Sequence, residues 1–184
     1  MLVPRMTAKY LFDAEPGELV RTSGRNGPVL GLVSGLHFED PRMPKLLIHL
    51  TPRDERRQGP SYSVIQEHAG STALSFGKDY VFVVDPAPEA IDPLWGGDFY
   101  AAGALVIAEQ HKLLQVAPAH PEGHQAILSY DIERGSTVAT YAPRPSCVVL
   151  KWEIRLKEGE YLDPPLGPLF KFEVPSRSGS SARR

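Results

Sequence analysis

GSTALSFGKDYVFVVDPA, residues 70–87, is the stretch whose pattern decides the fold class. Its first half alternates from Thr72 to Phe76 and stops at Gly77. Alternation is the period of a strand with one buried face. Its second half, Tyr80 to Val84, is an unbroken aromatic and β-branched run halted by Asp85 and Pro86. Such a run predicts a strand buried on both faces.

The same rhythm continues on both sides. Strands are expected at residues 45–50 (KLLIHL), 61–67 (SYSVIQE), 104–109, 112–117, 125–132, 137–141 and 169–174. The longest candidate, CVVLKWEIRL at residues 147–156, alternates through Trp152, Ile154 and Leu156 and reads as one strand. Helix signals are few. Residues 15–23 suggest one or two turns closed by Gly24 as a C′ glycine, and residues 88–94 suggest a single turn. With 16 glycines and 18 prolines in 184 residues, long uninterrupted helices and a helical bundle are excluded. The length suits one domain, expected over residues 6–175. The tail at 176–184 is too polar and Gly/Ser-rich to join a core and is expected to be disordered. Residues 1–5 contain Leu2-Val3-Pro4-Arg5, which reads either as a protease-cleavage remnant before a natural start at Met6 or as native sequence.

Twenty basic against 22 acidic side chains give a net charge of −2, which lacks the footprint of a dedicated nucleic-acid binder. The clusters Arg53, Arg56, Arg57 and Arg177, Arg183, Arg184 read as solvated loop charge. Cys147 is the single cysteine, so no intrachain disulfide and no cysteine-based zinc site is expected. No apolar run approaches the roughly 18 residues of a membrane-spanning helix. His111, His120 and His124 raise a metal-dependent reading, but Pro121 and Gly123 oppose the helix that would align the last two. His49 reads as a satisfied strand histidine. Trp95, Phe99 and Tyr100 read as partly buried core or as a partner surface.

Taken in order, three stretches resemble the cholera/pertussis-toxin-like ADP-ribosyltransferases, the group of the heat-labile enterotoxin A chain. In residues 10–31, Tyr10, Asp13, Pro16, Ser23, Gly24 and Pro28 fall into step with the family's opening strand (Tyr-Arg-x-Asp) and the short helix after it, with Leu11 where the family has Arg. In residues 70–87, Ser71 and Thr72 match the family's Ser-Thr-Ser strand, with Ala73 for its second Ser. In residues 108–132, Glu109 and Gln110 match the start of the Glu-x-Glu loop, with His111 where the second Glu belongs.

The resemblance implies a strand-dominated α+β fold, an ADP-ribosyltransferase-type split β-sandwich with two to four short helices. It implies NAD as cofactor, a toxin or effector role and a protein target or partner. Leu11, Asp13, Ser71 and Thr72 fall on the cofactor side, and Glu109 and His111 at the catalytic loop. Cleaving the bond between nicotinamide and ribose builds positive charge on the ribose, which a carboxylate stabilises. His111 brings no negative charge, and Leu11 cannot clamp a phosphate as Arg does. The implied site is therefore degenerate, weak or inactive in ADP-ribosyl transfer. Shifting the loop by two residues makes Glu109 the carboxylate instead, with Arg21 or Arg25 as the phosphate anchor. The alternative reading is a non-enzymatic β-sandwich interaction module.

Overall fold

The computed structural model describes residues 6–24, 27–35, 45–51, 59–66, 70–87, 91–93, 102–108, 111–118, 127–138, 146–157 and 167–173. Along the chain run β1 (Thr7–Tyr10), a 3-10 turn (Leu11–Asp13), β2 (Leu19–Gly24), β3 (Gly27–Ser34), β4 (Leu46–His49) and β5 (Ser61–Val64). There follow β6 (Thr72–Ser75), β7 (Tyr80–Val84), β8 (Ile91–Pro93), β9 (Leu105–Ala108) and β10 (His111–Pro118). The last are β11 (Leu128–Asp131), β12 (Ser136–Val138), β13 (Ser146–Val149), β14 (Lys151–Leu156) and β15 (Phe170–Glu173).

Twelve strands share one sheet in the order β1-β6-β2-β3-β4-β5-β10-β9-β13-β8, with β11 also on β10 and β12 beyond it. The two wings of this sheet meet where Ala117 and Pro118 of β10 pair in parallel with Ser61 and Tyr62 of β5. A second tie is the bridge between Gly35 and Ser136. A separate three-stranded sheet, β15-β14-β7, covers part of the large one.

Alternation explains how one sheet serves three cores. Leu19, Leu32 and Ile48 enter a central core, while their neighbours Val20, Val33 and Leu47 enter a second on the opposite face. In the other wing Leu105, Leu114 and Val149 join the central core, and Val106, Leu113 and Val148 form a third. The small sheet closes the central core with Trp152, Ile154 and Leu156, packed by Phe82, Phe170 and Phe172. The Trp152 ring lies 5.2 Å from Phe82 and 5.3 Å from Phe172, and its Nε1 donates to the Gly103 carbonyl at 2.7 Å. Gly103 has φ 93°, and a Cβ there would stand 2.0 Å from the Phe172 ring, so the contact admits only glycine. Burial between the sheets pushes the Tyr80 phenol up to about 12, and Tyr130 beside it well above its ordinary value of 10.0.

Strand dominance agrees with the sequence pattern, and most of the expected strands form. Several details differ. Residues 147–156 are two strands: β13 belongs to the large sheet and β14 to the small one, with the chain changing layers at Leu150. The change lets Val149 and Trp152 face the same core from opposite layers. Residues 15–23 contain β2 rather than a helix. Burying Leu19 and Val20 on two faces outweighs the helix-stop signal of Gly24, which instead enters the hairpin to β3. Ile91–Pro93, inside the other expected helix, is strand β8. Among the described residues helical geometry is confined to the 3-10 turn and to Lys157. β7 is not buried on both faces. It is an edge strand, half-buried along its whole length. β3 had no apolar run to announce it, because Gly31 interrupts it. A Cβ at Gly31 would lie 2.8 Å from the Ile48 carbonyl oxygen and from Leu47.

Both arginine clusters, Trp95, Phe99, Tyr100 and the segments at 1–5 and 176–184 lie outside the described residues. No helix among the described residues is long and apolar enough to cross a membrane.

Candidate functional site

β1 pairs with β6 so that Tyr10 opposes Thr72, and the Leu11 amide then donates to the Ser71 carbonyl at 2.7 Å. This register brings the first two matched stretches together. From Tyr10 the chain leaves the ladder into the Leu11–Asp13 turn. Lys45 holds that turn by donating to the carbonyls of Phe12 (2.7 Å) and Ala14 (2.9 Å), with its ammonium 5.2 Å from the Phe12 ring centre. Leu11 is buried in the second core, and Asp13 is exposed.

Glu18, just before β2, secures the same edge. Its carboxylate accepts from Lys9 of β1 at 2.9 and 3.1 Å and from Ser75 of β6 at 2.5 Å. Burial opposes ionisation of Glu18, but the bonds from Ser75 and Lys9, with the Lys9 charge, outweigh it. Its carboxyl is held below the ordinary value of 4.5.

Between the Leu11–Asp13 turn and strands β4 and β5 lies a cavity of about 590 Å³, within the range of small-molecule sites. Leu11, Asp13, Ser71, Thr22, Ser23, Tyr62, Ser63, Gln66 and His49 line it, over an apolar wall of Val29, Leu47 and Ile65. His49 is buried, and its Nε2 lies 2.7 Å from Ser63 Oγ. Burial raises the Tyr62 phenol above its ordinary value. No Lys or Arg is among the described lining residues, and Asp13 is the only carboxylate there. Thr72 is exposed on β6 outside the cavity, where its carbonyl accepts from Thr22 Oγ1 at 3.1 Å. Arg21 does not line the cavity, and Arg25 is outside the described residues.

His111 occupies a different place. It begins β10 opposite Ala108 of β9, and its Nδ1 lies 3.1 Å from Asp131 Oδ2. Asp131 is buried, and its Oδ1 accepts the amides of Glu133 (3.0 Å) and Arg134 (3.1 Å). A carboxylate beside Nδ1 fixes the orientation of the ring. The far end of β10 reaches the cavity wall where Pro118 opposes Tyr62. At a rise of about 3.3 Å per residue, His111 is therefore roughly 20 Å from that wall. Glu109 lies outside the described residues, as do His120 and His124. Among the described residues no three His, Cys, Asp or Glu side chains gather as metal ligands.

Leu11, Asp13 and Ser71 thus meet at one cavity, with Thr72 beside it and His111 apart from it. His49, Tyr62, Ser63 and Gln66 had not been assigned to a site. The signal for two of them was faint: Leu47, His49, Ser63 and Ile65 come to one face only once β4 and β5 pair.

No family model, curated protein or solved structure matches this chain.

Proposed function

We propose that this chain is a non-catalytic ligand-binding module on an ADP-ribosyltransferase-like split β-sandwich, with the cavity under the Leu11–Asp13 turn as its site. One observation carries the reading. Three positions that the resemblance assigns to the cofactor side line one cavity, while His111 stands beside Asp131 at the far end of β10. Stabilising charge on a reacting ribose needs a group within hydrogen-bond reach of it. Gathered binding positions with a distant catalytic position favour binding without transfer.

The cavity's chemistry narrows the ligand. Hydroxyls of Thr22, Ser63 and Ser71, the Gln66 amide and the His49 ring suit sugar hydroxyls and a carboxamide. No described cation lines the cavity to clamp a diphosphate. The nicotinamide–ribose half of NAD is the part that fits this lining.

Calorimetry with nicotinamide riboside, NAD and ADP-ribose tests this. The expected result is binding of the riboside, no tighter binding of NAD, and no NAD hydrolysis. His49→Ala should weaken binding about tenfold, the equivalent of one well-made hydrogen bond. No binding of any of the three at millimolar concentration, with no thermal stabilisation, removes the ligand reading. NAD hydrolysis abolished by Glu109→Ala removes the non-catalytic one.

A further inference from the structure

The small sheet ends at a strand edge whose outward main-chain groups are bonded by no described residue. The Lys157 amide donates to the Asp79 carbonyl at 3.0 Å, and the Asp85 amide donates to that of Lys151 at 3.2 Å. The register between them puts Val81 and Val83 in the same phase, facing β14. In an antiparallel ladder the intervening residues turn their main chain the other way. The N–H and C=O groups of Tyr80, Phe82 and Val84 therefore face outward, and no described residue bonds to them.

Other edges are blunted in the usual ways. β1 carries Lys9, β8 carries Asp92 and Pro93, and β15 carries Lys171 and Glu173. β12 is short and bridged to Gly35. β7 reads YVFVV, with neither a charge nor a proline.

Beside this edge is a cleft of about 610 Å³, with Leu105, Ile107 and Ile132 of the large sheet among its lining. Lys78, Lys112, Arg134 and Lys157 also line it, against one carboxylate, Glu133. The whole chain is at −2, so this positive rim is a local feature. Lys112 pairs with Glu133 at 2.6 Å and Lys78 with Glu15 at 3.4 Å, all four side chains being more than half exposed, and the exposed Arg134 lies 3.7 Å from the buried Asp131. Surface pairs of this kind are weak and exchange for another carboxylate.

We propose that the β7 edge docks an extended peptide segment of a partner protein, one with apolar residues at alternate positions and acidic residues beside them. The peptide adds to β7 as a strand. The main chain of Tyr80, Phe82 and Val84 supplies the ladder, the apolar lining takes alternate side chains, and Lys112 and Arg134 meet the carboxylates. A second copy of this chain fits less well, because antiparallel self-pairing centred on Phe82 sets Asp79 against Asp85.

A capped eight-residue peptide of alternating valine and threonine, ending in two glutamates, is the probe. Two further versions carry N-methyl groups on the odd or on the even residues, and a fourth has lysines for the glutamates. Amide NMR of the whole chain should show the parent peptide shifting Phe82 and Val84. One N-methyl phase should abolish binding while the other spares it, because only one edge of the peptide faces β7. The lysine peptide should bind at least about tenfold more weakly, and Lys112→Glu combined with Arg134→Glu should reverse that preference. Three results overturn the proposal. The first is no binding at millimolar peptide, and the second is equal binding of both N-methyl phases. The third is a dimer, seen by sedimentation and broken by Val84→Pro, which would assign the edge to a second copy.

Discussion

The cavity under the Leu11–Asp13 turn and the cleft beside β7 are nearly equal in volume, about 590 and 610 Å³, yet they present opposite kinds of group. Most of the cavity's lining strands, β2, β3 and β4, have neighbours on both sides, so their ladders already engage the backbone. Side chains such as His49, Ser63 and Ser71 are what it offers. The cleft borders a strand with one neighbour, and half of that strand's main-chain groups point away from it. An inner strand bonds on two sides and an edge strand on one. Position in the sheet thus decides whether a site is built from side chains or from backbone.

The largest effect is expected from a change that detaches the small sheet and leaves the cavity side in place. Gly103→Ala puts a Cβ into the Phe172 ring at a φ of 93°. It should cost about 3 kcal/mol or more by denaturant unfolding. Hydrogen exchange should rise in β7 and β14 before β3 and β4. A loss below about 1 kcal/mol would show that the Gly103 contact does not anchor the small sheet.

Next in size is the support on the cavity side. Glu18→Gln weakens the bonds that tie β1 and β6 to the start of β2 and should cost about 1–3 kcal/mol. Its pH signature is specific. The folded Glu18 carboxyl titrates below its ordinary 4.5, so its stabilisation is complete above that value and is lost as pH falls through the lower folded value. Wild type should therefore lose stability more steeply than Glu18→Gln in acid unfolding below about pH 4.5. Parallel curves for the two proteins would contradict the assignment.

Ser63→Ala is a smaller change, removing the hydroxyl 2.7 Å from the buried His49 Nε2. About 1 kcal/mol of stability should go, along with riboside binding, while peptide binding at β7 stays intact. Loss of both activities would show that the two regions are not separate. The smallest effect is that of Lys112→Glu, whose exposed pair with Glu133 should change the unfolding free energy by less than about 0.5 kcal/mol. A larger shift would mean that the cleft rim supports the fold and is not free to meet a ligand.

Residues 61–67 and 72–76 were legible as strands because alternation is a local property, set by the two-residue period of the backbone, and residues 45–50 because a short apolar run stopped by proline is local too. Gly24 misled because a glycine that ends a helix and a glycine that opens a hairpin look alike in a short window. The site was legible in part. Leu11, Asp13 and Ser71 were singled out by order along the chain, and the β1–β6 register brings them to one cavity. His49 and Ser63 were not, since each looks ordinary until β4 and β5 lie side by side.

Alone, the sequence determined where most strands after residue 45 occur, that helices are short or absent over most of the chain, and that no strong net charge directs it to nucleic acid. Those properties depend on residues close together in the chain. Tertiary structure decided that YVFVV is an edge and not a buried centre, that residues 147–156 pass between two layers, and that His111 pairs with Asp131 far from Ser71. Each of these depends on which distant strand becomes a neighbour. Pairing is chosen by competition among long-range contacts, and a local pattern does not contain it.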